Sequence, residues 1–101
     1  MADKETSNNA KKFDLSTLED KLMELDSNAF IEAERECRMA ADPTPDIMYS
    51  ASFRARLAAK AFKVSYDDIS SLKLPEYVAI ISRVLNFLLK TLGEEVLQRN
   101  N

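Results

Sequence analysis

The sequence predicts an all-α fold: a small helical bundle of four main helices plus a short helical turn. Three observations carry this. The 101 residues include one glycine and three prolines, whereas sheets need tight turns that glycine forms at least steric cost. Apolar residues recur at three- and four-residue spacing in the main apolar stretches, the period of a helix rather than a strand. Pro45 and Pro75 stand where helices are expected to start. The composition, 46% apolar and 31% charged, is that of a globular chain, and the length fits one domain. Residues 1–12 are polar and aperiodic and are expected to form a disordered tail. Residues 13–101 are read as a single α-helical domain.

The first helix is expected from Leu15 to Leu25. Leu15, Leu18, Leu22 and Leu25 form one narrow stripe, and Ser16 with Glu19 has capping-box spacing. Asp26, Ser27 and Asn28 read as a polar break. The second helix is expected from Ala29 to Ala41, with Phe30, Ala33, Cys37 and Ala40 on one side. Asp42-Pro43-Thr44-Pro45-Asp46 is the clearest interruption, because the residue before a proline avoids the α region. Thr44 reads as an N-cap and Pro45 as the first helical residue.

The third helix then runs from Pro45 to Phe62. It carries one apolar stripe of Ile47, Ala51, Ala55, Ala58 and Phe62, and another of Phe53, Leu57 and Ala61. So many alanines permit close approach of neighbours, which predicts a central helix packed on two sides. Ser65 and Asp68 form a second capping-box pattern and open a short turn through Leu72. The last helix is expected from Pro75 to Leu92, with Gly93 as the residue that ends it. Its apolar arc, made of Tyr77, Val78, Ile80, Ile81, Val84, Leu85, Phe87, Leu88, Leu89 and Leu92, spans about 200°. An ordinary surface helix needs nearer 100°. Either several neighbours enclose this helix, or it lends one flank to a partner; the sequence leaves both open.

Several function classes are excluded. Without histidine, Ser-His-Asp and Cys-His catalysis and histidine-ligated metal sites are ruled out. One glycine rules out glycine-rich phosphate loops. The lone Cys37 makes neither an internal disulfide nor a Cys₄ zinc site, fits a reducing cytosol, and reads as a small buried hydrophobe. No apolar run is long enough to span a membrane, and the polar N-terminal stretch does not read as a signal peptide. The carboxylates of Asp67 and Asp68, and of Asp42 and Asp46, read as helix-start groups rather than acid–base or cation sites. No catalytic, cofactor or metal site is therefore expected, and the chain reads as a binding protein rather than an enzyme.

Charge is unevenly spread. Residues 1–48 hold six Lys or Arg against twelve Asp or Glu, a charge of −6, and residues 49–101 hold eight against five, a charge of +3. The two halves are suited to dock on each other, within a chain or between copies. Arg56, Lys60 and Lys63 share one face and read as ion-pair partners for the acidic half, or as the phosphate contacts of a small helical DNA-binding regulator. Arg54 projects between the two apolar stripes, where a guanidinium must pair with a carboxylate, snorkel or sit at an interface. Met23, Met39 and Met48 read as core filling, or as an adaptable part of a binding surface.

Residues Asp42–Arg56 form a capped, Ala- and Arg-rich stretch. Tyr66-Asp67-Asp68-Ile69-Ser70-Ser71-Leu72-Lys73-Leu74-Pro75-Glu76-Tyr77 then leads into the apolar run Val78–Leu89. This order resembles the small tail assembly chaperones of long-tailed bacteriophages, over roughly residues 40–92. The N-terminal tail and first helix have no counterpart in it. The resemblance implies an all-helical protein of the bacterial cytoplasm, absent from the finished virion. It implies binding to the apolar tape-measure protein, help in recruiting tail-tube protein, and self-association as a homo-oligomer. In many phages a frameshift also makes a longer form. No nucleic acid or membrane partner is implied. The family has no motif that assigns single contacts, so the carry-over falls by position on the last helix and on the Ala-rich one. Taken together with the residue reading, the candidate surface is Phe53, Arg54, Leu57, Tyr77, Ile81, Leu85 and Leu88. A structural phage adaptor is the other expectation from this class; it would be found in mature particles, where a chaperone would not.

Overall fold

The computed structural model describes residues 13–93 in full and the backbone of residues 94–100. The expected tail, residues 1–12, lies outside the described residues. The fold is all-α: five helices and two short 3-10 turns, with no strand among the described residues. In chain order they are α1 (Leu18–Met23), α2 (Ser27–Met39), α3 (Ala51–Phe62), α4 (Tyr66–Ser70) and α5 (Leu74–Asn100). One 3-10 turn, Leu15–Thr17, precedes α1, and the other, Ile47–Tyr49, precedes α3.

The alanines of α3 place it at the centre. It packs against each of the other four helices. Ala55 and Ala58 have no exposed surface, and Phe53 and Leu57 fill the space beside them. Phe53 meets Phe30 of α2 edge to face, with ring centroids 4.8 Å apart. Leu18 and Leu22 of α1, Ile69 of α4, and Ile80 and Val84 of α5 close the core. Cys37 is buried and its thiol sits 3.9 Å from the Ser52 hydroxyl, a small hydrophobe as its neighbours require.

Local chemistry sets several boundaries differently from the sequence expectation. The Ser16–Glu19 capping box does not form. Asp14 lies two residues before Ser16, and its carboxylate accepts both the Ser16 backbone N–H (3.0 Å) and hydroxyl (2.6 Å). Leu15–Thr17 is drawn into a 3-10 turn, and α1 begins only at Leu18. The presumed polar break Asp26-Ser27-Asn28 is a helix start: Asp26 accepts from the Ala29 N–H, so α2 opens at Ser27. Ala40 lies beyond the last residue of α2 and is exposed rather than part of the apolar side.

Thr44 and Pro45 do not start α3. The buried Ser50 does, accepting from the Phe53 N–H at 3.2 Å. Asp42 dictates this choice. Its carboxylate accepts from the Ser50 hydroxyl and from the backbone and hydroxyl of Thr44. Arg38 meanwhile donates to the carbonyls of Asp42 (2.9 Å) and Thr44 (2.7 Å). The Ser65–Asp68 capping box forms as expected, with both halves made (3.1 and 3.0 Å).

Glycine use is the sharpest reversal. α2 and α3 both end in Schellman turns. The Asp42 N–H reaches the Cys37 carbonyl at 3.0 Å, and the Val64 N–H reaches that of Ala59 at 2.9 Å. The left-handed residues of these turns are Ala41 (φ 64°) and Lys63 (φ 60°), not glycine. Gly93, expected to stop the last helix, has no positive φ and lies inside α5, which continues to Asn100. α5 also starts one residue earlier than expected, at Leu74, which puts Pro75 second in the helix.

Candidate docking surface

α5 divides its wide apolar arc between two surroundings. Ile80 and Val84 are buried. Tyr77, Ile81, Phe87 and Leu88 are half-buried and pack against the core. Among the described residues nothing covers the outer flank. Leu74 is 71% exposed, Val78 44%, Leu89 39% and Leu92 54%, with Leu85 half-buried among them. Monomeric surfaces commonly scatter single apolar side chains, whereas these four lie on one side of one helix.

Of the residues expected to form a surface, Tyr77, Ile81, Leu85 and Leu88 border this flank. Phe53 and Leu57 do not. They are 0% and 4% exposed, because α3 is enclosed on both stripes and neither faces a partner. The most exposed members are absent from that expected surface: Val78, Leu89 and Leu92 belong to the apolar arc read from the sequence, and Leu74 lies just before it. For Leu74, Val78 and Leu92 the signal is the four-three alternation Leu74, Val78, Ile81, Leu85, Leu88, Leu92, the spacing of a seam that packs on another helix, and Leu89 lies beside it.

Arg54 sits where α3 meets this flank. It finds no carboxylate within ion-pair distance among the described residues. Its guanidinium instead donates to three backbone carbonyls: Ser50 (3.3 Å), Ile81 of α5 (3.1 Å) and Tyr49 (3.5 Å). Burial lowers its pKa, and interaction with Tyr77 works in the opposite sense. Burial raises the pKa of Tyr77, the neighbouring Tyr66 adds to that rise, and Arg54 opposes it. Tyr49 stands beside this site, 53% exposed.

The basic strip on α3 has a different fate. Lys60 pairs with Glu36 (3.2 Å) and Glu32 (3.7 Å), and Arg56 pairs with Glu36 (3.5 Å). Arg56 also lies over the Tyr66 ring, 4.0 Å from its centroid. The acidic and basic halves therefore dock on each other within one chain. Lys63, at the left-handed end of α3, is exposed and apart from these pairs.

A groove between α1 and α5, of about 410 Å³, is lined by Leu22, Met23, Leu25 and Phe87 and rimmed by Glu19 and Lys90. Met23 (70% exposed) and Met39 (81%) lie on the surface, whereas Met48 packs against the core. Among the described residues no group of three acidic or cysteine side chains is placed to hold a metal ion. No helix among them is long and apolar enough to cross a membrane. Neither a protein-family model, nor a curated protein, nor a solved structure matches the chain.

Proposed function

We propose that the chain is a non-catalytic binding protein whose outer α5 flank receives an apolar helix of a partner. The uncovered row Leu74, Val78, Leu89 and Leu92 carries this reading. A helix-in-groove contact needs an apolar surface bordered by charge, and Arg54 of α3, bonded to the Ile81 carbonyl, supplies charge at its edge.

Joined to the sequence resemblance, this gives a phage tail assembly chaperone of the bacterial cytoplasm. It would bind tape-measure protein, keep it soluble and assist tail-tube assembly, acting as a homo-oligomer. A DNA-binding role has less support, because Arg56 and Lys60 are engaged by carboxylates of α2. Co-expression with a helical tape-measure fragment tests the proposal. The fragment should move into the soluble fraction with this protein, and equal insolubility with and without it would overturn the reading. Absence from purified virions would separate a chaperone from a structural adaptor.

A further inference from the structure

The occupant of the α5 flank has a required chemistry beyond apolar character. The series Leu74, Val78, Ile81, Leu85, Leu88, Leu92, exposed at its two ends and half-buried between, repeats at four-three spacing over eighteen residues of rise, ~27 Å, so its complement is a helix with a matching stripe. From Leu74 to Gly93 the only charged residues are Glu76, Arg83 and Lys90. All three project roughly opposite Leu74 and Leu92 on the helix. The flank itself is uncharged and offers a visiting helix no electrostatic register. Among the described residues, a charge is bonded at its edge from α3, where Arg54 donates to the Ile81 carbonyl.

A guanidinium has five N–H donors. Arg54 uses three, all on neutral carbonyls, and its positive charge meets no carboxylate among the described residues. A helix laid on Val78 and Ile81 removes water from this cation. Desolvating a charge without an opposite partner is unfavourable, and a carboxylate accepting the remaining N–H groups relieves it. The edge of the site is also made of the residue types that anchor interfaces, Arg54 with the exposed Tyr49 and the half-buried Tyr77.

We infer that the partner helix carries an acidic side chain at the border of its apolar stripe, and that Arg54 receives this carboxylate. The inference rests on the docking role of α5. It favours a foreign helix over a second copy, since two α5 flanks laid together set neutral face on neutral face and leave both Arg54 cations unmatched. It predicts discrimination: a glutamine there loses the ion pair, and a lysine is repelled.

The test uses the full chain and fluorescent helical peptides of about 20 residues. Each has a Leu/Ile stripe at four-three spacing and one Glu at the stripe edge, placed at successive turns, with a Gln counterpart for each. In at least one register the Glu peptide should bind about three- to tenfold more tightly than its Gln partner. That preference should shrink with added salt and vanish in Arg54→Gln, while binding of the Gln peptide persists. Arg54→Lys, which keeps the charge, should retain part of it, and circular dichroism confirms that both variants fold. Equal affinity for Glu and Gln in every register would overturn the inference and leave the docking role standing. A preference that survives Arg54→Gln would also overturn it. No binding of any peptide would overturn the docking role as well. A dimer of the chain that dissociates in Arg54→Gln would make a second copy the occupant and refute the foreign helix.

Discussion

Replacing Gly93 with alanine distinguishes two structures for the end of α5 by sign. If Gly93 ended the helix in a left-handed turn, as its position in the sequence suggests, a Cβ there would be strained and Gly93→Ala would cost about 1 kcal/mol. In the structure Gly93 is helical, without positive φ, and a Cβ built on it meets nothing within 4 Å. Alanine then gains helix propensity without a clash, up to about 0.8–1.0 kcal/mol. Gly93 is exposed and precedes the final turns of α5. Urea unfolding followed by circular dichroism at 222 nm reads the sign. For a domain of this size, 1 kcal/mol corresponds to about 4–8 °C in Tm. Hydrogen exchange of residues 94–100 should slow in the variant. A fall in stability, or faster exchange beyond residue 93, would refute the continuous helix.

Three further outcomes follow from the same physics. Lys63→Gly should stabilise the fold by about 0.5–1 kcal/mol, since φ 60° is the conformation a side chain disfavours; denaturant melts check it. Phe53→Ala should cost about 3–5 kcal/mol, because the ring is wholly buried against Phe30, and this should show as a sharply lowered urea midpoint. The Asp42 carboxyl is held down to about 2 from 3.8, first by the Ser50 hydroxyl and then by the Thr44 hydroxyl and N–H. Its folded value lies below its unfolded one, so its contribution is complete above about pH 4 and is lost as pH falls toward 2. A pH series of thermal melts should decline through that window, and Asp42→Asn should flatten the decline.

The helical class was legible because it depends on composition and period, which the single glycine and the recurring apolar stripes expose directly. The central place of α3 was legible for the same reason, since small residues on two faces admit neighbours on both. Helix starts were less so, because capping is a competition among nearby side chains. Asp14 outbid Ser16 by taking its N–H, and Asp42 drew Ser50 rather than Thr44 into the cap by a contact eight residues along the chain. Ends failed where a rule of preference met an exception: Ala41 and Lys63 occupy the left-handed positions that glycine favours. The last helix was read as carrying more apolar surface than a surface helix needs, but not which side the described residues leave uncovered. That required the position of α3, which buries Phe53 and Leu57 and leaves Arg54 at the edge of the open flank.

The central claim, that the outer flank of α5 receives a partner helix, is tested most directly by the double variant Val78→Asp, Leu89→Asp. Both side chains are exposed, 44% and 39%, so the change should leave Tm within a few degrees. The measurement is the soluble yield of a co-expressed tape-measure fragment. The account predicts that the unaltered protein raises this yield and that the folded double variant does not. A double variant that solubilises the fragment as well as the unaltered chain would contradict it.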